Sequence, residues 1–145
     1  MTMTEWEPRE TTTHQHHVIA HLAGATALGY FSADDAVHFV LDIGLVWTIY
    51  ADCEMGLVPE SMALAELNVT ADERRAIAED ARRLHRDGGD AQGLSLVTPA
   101  PPGFLVEEVE LYGNDEGGCR LLVRGESSSL SVESGRGVMR VRPPE

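Results

Sequence analysis

The chain has no lysine: all 11 of its basic residues are arginine, set against 24 aspartates and glutamates, for a formal charge of −13. A chain this acidic repels phosphate backbones, so nucleic acid is not an expected partner. An anionic membrane surface is disfavoured for the same reason. A lysine-free acidic surface fits GC-rich codon usage, and it also fits adaptation to high salt, where excess carboxylates keep a surface hydrated. Cysteine is almost as scarce. Cys53 and Cys119 stand far apart and in no paired motif, which reads as neither a disulfide framework nor zinc-ribbon spacing. Each is expected to be a small buried hydrophobe, in a reducing cytoplasm where such a bond does not persist.

Long apolar runs are missing too. His21, His38 and Asp42 interrupt the most hydrophobic stretches, which fall short of the ~20 residues that span a bilayer. The opening MTMTEWEPRE is polar and acidic, unlike a signal peptide, and the chain is expected to be soluble and cytoplasmic. There is no glycine-rich phosphate loop: Gly113 to Gly118 lacks lysine, carries two acids and reads as a hairpin tip.

At 145 residues the expectation is one domain with a sizeable core. A hydrophobic content of 43% with 24% charged residues excludes global disorder. Residues 1–13 carry no apolar period and are expected to be a flexible tail, followed by a single domain over 14–145. Thr11, Thr12 or Thr13 can cap a first helix, read from His14 to about Tyr30. Ser32, Asp34 and Asp35 supply a capping residue and negative charge for a second, apolar on most of its circumference from Ala36 to Ile43 and hence buried. Gly44 stands where a left-handed residue stops a helix. Leu45 to Tyr50, rich in β-branched and aromatic types, reads as a central strand; the alternative is one long helix running on through Ala51, with Gly44 costing it ~1 kcal/mol. A short helix follows from Glu60 to Leu67. Thr70 with Glu73 is a capping box opening an amphipathic helix to about Arg86, with Ile77, Ala81 and Leu84 on its inner face and Asp80 among the charged residues of the other.

Near Gly93 the period changes to two. Leu94–Val97, Phe104–Tyr112, Cys119–Arg124, Leu130–Val132 and Met139–Val141 alternate as strands, with turns at Pro99–Gly103, Gly113–Gly118 and Ser134–Gly137. Glu108 and Glu110 are placed to face Arg120 and Arg124 across a hairpin. The resulting fold class is α+β: N-terminal helices (14–89) packed on a C-terminal antiparallel β-meander (93–142) of about four to five strands.

Two groups of side chains stand out as candidate sites. Four of the six histidines fall between His14 and His21. On a helix His17 and His21 are one turn apart, with His14 on nearly the same stripe. Those three could hold zinc or nickel through imidazole nitrogens, while His16 points elsewhere. The second group is Tyr50, Asp52, Cys53 and Glu54, which could line a pocket at the end of the central strand, where paired carboxylates beside a thiol can do acid–base work. No catalytic constellation is evident. The leading expectation is therefore a non-enzymatic protein-binding or regulatory module, inhibitory or otherwise, whose acidity meets a basic protein surface and speeds association. The alternatives are a metal-binding protein or metalloenzyme using the histidines, and a small-molecule binder or enzyme with a pocket between helices and sheet. A homo-oligomer is compatible with all three.

Overall fold

The computed structural model describes residues 6–135 and 138–142. It overturns the expected α+β layout. The described residues form two five-stranded antiparallel sheets packed face to face, with three α-helices around them. The strands are β1 (Glu7–Pro8), β2 (Ala27–Ala33), β3 (Ala36–Leu41), β4 (Leu45–Tyr50), β5 (Met55–Pro59), β6 (Thr98–Pro99), β7 (Val106–Gly113), β8 (Cys119–Gly125), β9 (Ser129–Gly135) and β10 (Val138–Arg142). The helices are α1 (Thr13–Leu22), α2 (Glu60–Ala65) and α3 (Ala71–Asp87). The first sheet runs β5-β4-β3-β2-β6 and the second β1-β7-β8-β9-β10.

The expected helix from His14 to Tyr30 stops early. Thr12 and Gln15 make a reciprocal capping box at its start. Gly24, at φ +89, turns the chain after Leu22, and the Ala-Leu-Gly-Tyr-Phe run becomes β2. The expected helix over Ala36–Ile43 is β3. Asp34 and Asp35 cap nothing; both sit at positive φ, 54 and 58, and form the two-residue turn of a tight β2–β3 hairpin, a conformation aspartate tolerates better than most residues. Every residue of β3 is buried. Val37, Phe39 and Leu41 face the second sheet, while Val40 faces α3. A strand covered on both faces is apolar at every position, and so loses the alternation that marks a strand.

Gly44 is left-handed as expected, at φ +79, but it closes the β3–β4 turn instead of a helix. A Cβ there would meet nothing within 4 Å, so the cost of Gly44→Ala is purely conformational. Thermal melting should show a loss of about 1 kcal/mol; a rise in melting temperature would contradict the turn.

The rest of the reading fares better. The central strand over Leu45–Tyr50 is β4, paired with β3 over Val46–Tyr50 and with β5 over Leu45–Ile49. The Thr70–Glu73 capping box opens α3, and Ile77, Ala81 and Leu84 are buried. Of the meander expected over 93–142, β7, β8, β9 and β10 pair in sequence order, in a sheet that also takes β1, with Glu108 opposite Arg124 and an ion pair of 3.1 Å from Arg124 to Glu110. Two local readings change. Leu94–Val97 is a loop, and strand pairing is confined to Thr98–Pro99. Asp80 is buried, not on the charged face of α3. Of the expected tail, Glu7 and Pro8 pair with Gly113 and Tyr112; residues 1–5 lie outside the described residues, as do Arg136 and Gly137 of the last expected turn.

Two apolar clusters result. The larger lies between the sheets and includes Phe39 stacked on Trp47 at 5.2 Å, with Leu121, Val123 and Val132 from the second sheet. The smaller lies on the outer face of the first sheet under α3. There Gly29 is held to its identity: an added Cβ would stand 2.7 Å from Leu84 Cδ1 and 2.8 Å from Thr98 O. The layers are therefore helix, sheet, sheet, and the outer face of the second sheet is left to its charged residues. On that face the Tyr112 hydroxyl, then the Arg124 guanidinium, hold Glu110 below the usual carboxylate range.

Candidate functional site

The layering leaves a partly covered zone on the first sheet. α3 seals β2 and β3, but the six-residue α2 covers β4 and β5 incompletely. A cavity of about 160 Å³ remains between α2 and the outer face of the first sheet, lined among others by Asp34, His38, Thr48, Tyr50, Gly56 and Glu66.

Strand period explains which side chains arrive there. His38, Thr48 and Gly56 are register partners across β3, β4 and β5, on the face opposite Phe39 and Trp47. Tyr50 lies two residues beyond Thr48 on the same face. Its ring crosses the neighbouring strand, where a Cβ at Gly56 would stand 3.9 Å from the tyrosine oxygen. Tyr50 is 48% exposed. Asp34 enters from the hairpin turn and accepts the Asn68 backbone N–H at 2.7 Å on Oδ2. Glu66, at the end of α2, enters no ion pair or side-chain hydrogen bond among the described residues. Arg74, anchored next to α2, donates to Leu64 O and Leu67 O and does not line the cavity.

His38 forms the floor. Its Nε2–H donates to Ala33 O at 3.1 Å, so Nδ1 accepts the Thr48 hydroxyl at 2.8 Å. The ring stacks on Phe31 with centroids 4.9 Å apart. Burial lowers the pKa of His38; the Ala33 carbonyl and the Asp34 charge oppose this less strongly. Both nitrogens are occupied, so His38 positions Thr48 and the Asp34 turn and has no free lone pair or proton to offer a ligand.

A pH dependence follows. The unfolded histidine titrates near ~6.5, while folded His38 takes a proton less readily, so the unfolded state binds more protons in the window just below that pH. Stability is complete above ~6.5 and declines as pH falls beneath it, by at most about 1.4 kcal/mol per pH unit. Urea melts at pH 7 and pH 5.5 should show this slope in the wild type and a flatter one in His38→Gln. Equal slopes would remove His38 as the cause.

The structure distributes the expected site residues differently. Of Tyr50, Asp52, Cys53 and Glu54, Tyr50 alone reaches the cavity. Asp52 Oδ1 accepts the Glu54 N–H at 3.0 Å within the β4–β5 turn. Cys53, at φ 65, is bonded to Cys119, with a Cα separation of 6.1 Å. The reading of two separate small hydrophobes is thus corrected: the bond joins the first sheet's β4–β5 turn to β8 of the second, two segments 66 residues apart that local sequence does not connect. Around it Gln15 Nε2 donates to Cys53 O at 2.8 Å, His14 Nε2 donates to Met55 O at 2.8 Å, and the Ser134 hydroxyl donates to Ala51 O.

His14 is therefore a fastener of α1. His17 and His21 are exposed on α1, and His16 is exposed beside them. Among the described residues no group of three His, Cys, Asp or Glu side chains is placed to hold a metal ion. Sequence reasoning missed Asp34, His38, Thr48 and Glu66. Once Ala36–Leu41 is a strand, the spacing of His38 from Val40, opposite Thr48, would have identified the face. Among the described residues no helix is long and apolar enough to cross a membrane. No protein-family model, curated protein or solved structure matches the chain.

Proposed function

We propose that the chain is a binding module that docks a basic protein surface against the side of the first sheet bearing α2, the Asp34–Asp35 turn and Tyr50. One observation carries this reading: the cavity under α2 has Asp34 and Glu66 as its acidic lining and no arginine, in a chain with a charge of −13. A concave site of one sign focuses the field of the whole molecule, which raises the on-rate for a partner of opposite sign. The exposed Tyr50 in its lining is one of the residue types enriched among interface anchors.

The charge alone would also serve solubility, so the test compares positions. Binding to a panel of small basic proteins is measured at physiological salt with two equally neutralised variants, Asp34→Asn/Glu66→Gln at the cavity and Asp72→Asn/Glu79→Gln on α3. The cavity variant should weaken binding about tenfold and the α3 variant less than about twofold. Equal losses would mean that net charge, not this face, attracts the partner.

The cytoplasmic location expected from the sequence is the part of this reading that the Cys53–Cys119 bond counts against, because such bonds persist in oxidising compartments. Alkylating the thiols of intact cells before lysis decides between the two.

A further inference from the structure

We infer that the cavity under α2 is a socket for a single arginine side chain of the partner, held flat against Tyr50 between the carboxylates of Asp34 and Glu66. This rests on the binding reading above and names the group that enters.

The size comes first. About 160 Å³ is below the ~300 Å³ at which sites for drug-sized molecules begin, and suits the end of one side chain. The chemistry of the lining comes next. The floor is already spent, because His38 bonds Ala33 O and Thr48. Gly56, Val58, Ala63 and Leu67 make apolar walls. What remains open is at the rim. Asp34 gives Oδ2 to the Asn68 N–H and keeps Oδ1. Glu66 is exposed, with no partner among the described residues. A group that satisfies two separate carboxylates while lying over an apolar wall must be cationic, flat and multidentate.

Arginine meets that description and lysine does not. The guanidinium is planar, weakly hydrated, able to donate to two acceptors at once, and stacks on aromatic rings. Tyr50 supplies such a ring, half exposed and laid across Gly56. Gly56 keeps that side of the cavity open, since any side chain there would grow toward the Tyr50 hydroxyl. An ammonium is a compact point charge that would gain little from the ring.

The probe is N-acetyl-arginine amide, which carries one positive charge and no other. It is titrated into the full chain at physiological salt and followed by backbone amide shifts, with N-acetyl-lysine amide alongside. The expected result is saturable shifts at Thr48, Tyr50, Gly56, Ala63 and Leu67, and several-fold weaker binding of the lysine compound. Affinity should fall about tenfold in Asp34→Asn/Glu66→Gln. Tyr50→Ala should weaken it and Tyr50→Phe should not, which separates stacking from hydrogen bonding by the hydroxyl; the amide spectrum of each variant verifies that it is folded. Shifts spread evenly over acidic residues, no shifts at the cavity, or equal response to lysine would each overturn the socket. If the basic proteins still lose affinity in the cavity variant while the arginine compound leaves the cavity unperturbed, the socket fails and the docking face stands. If the arginine compound binds and no basic protein does, the docking reading fails and the socket stands.

Discussion

Replacing Asp80 with alanine should cost about 3 kcal/mol, because this acid, unlike its exposed neighbours Asp72, Glu73 and Glu79 on α3, is buried. Its carboxylate is buried and accepts three consecutive backbone N–H groups: Ser95 on both oxygens at 3.0 and 2.9 Å, Leu96 at 2.7 Å and Val97 at 3.0 Å. Those donors belong to a loop with no strand partner until Thr98. Removing the acceptor leaves the N–H groups to find water. Ser95 and Leu96 are exposed and can do so, but Val97 is 4% exposed and its N–H is left unsatisfied. A buried orphan donor costs about 1–3 kcal/mol, and the loss of two charge-assisted bonds adds to it. The loop also carries Val97 and Ala91 into the cluster beneath α3, so their packing loosens with it. Asp80→Asn should recover part of the loss, since an amide oxygen in the place of Oδ2 keeps the Leu96 and Val97 N–H groups and the N–H₂ in the place of Oδ1 faces only Ser95, while the charge that strengthens these bonds is gone. Denaturant melts of both variants test this; an alanine variant within about 1 kcal/mol of wild type would show that the loop is held by packing alone.

The same residue shows where the sequence stopped being informative. Helix spacing puts Asp80 with Ile77, Ala81 and Leu84, at i, i+3, i+4 and i+7, on the inner face of α3, and only its charge assigns it to the outer one. What buries it is a loop fifteen residues later, whose unpaired donors are invisible until the chain has folded. Where structure is local, the sequence was legible. A helix cap among Thr11, Thr12 and Thr13, the capping box at Thr70, the β7–β8 hairpin with its Glu and Arg rows, and the strand over Leu45–Tyr50 show in residue type and period along a short stretch of chain. The fold class failed because of one piece of tertiary structure, the covering of β3 on both faces. Ala36–Leu41 is continuously apolar, which suits a buried helix and a buried strand equally well, and the two aspartates before it suit a helix start and a hairpin turn equally well. The candidate site depends on the same strand. On a helix His38 is one polar break in an apolar surface; on β3 it stands opposite Thr48 and looks out toward α2. The acidity that motivated a basic partner was legible from the start, but the place where it becomes concave was not.

Breaking the Cys53–Cys119 bond should destabilise the chain more than the loss of Asp80 does. The bond closes a loop with a sequence separation of 66 residues, and the loop-entropy relation gives a loss of about 4 kcal/mol when the cross-link is removed. At ~2.1 cal/mol/K per residue the unfolding entropy of a chain of 145 residues is ~0.3 kcal/mol/K, so the melting temperature should fall by roughly 13 °C. The native state amplifies this. The bond is the covalent link between the two sheets, and its first-sheet end is where α1 is fastened, through Gln15 to Cys53 O and His14 to Met55 O. Cys53 also sits at a positive φ, which a non-glycine residue keeps only where its surroundings enforce it. Reduction should therefore loosen α1 and the β4–β5 turn together, ahead of global unfolding. Thermal melts with and without a phosphine reductant, set beside Cys53→Ser/Cys119→Ser, measure the first effect. Hydrogen exchange at residues 13–22 and 50–55 measures the second. Equal melting temperatures, with mass spectrometry showing two free thiols in the reduced sample, would mean that packing between the sheets holds them without the cross-link. Because Tyr50 ends the strand that leads into this turn, the reduced protein should also bind N-acetyl-arginine amide more weakly than the oxidised one, which would couple the redox state of the compartment to the socket.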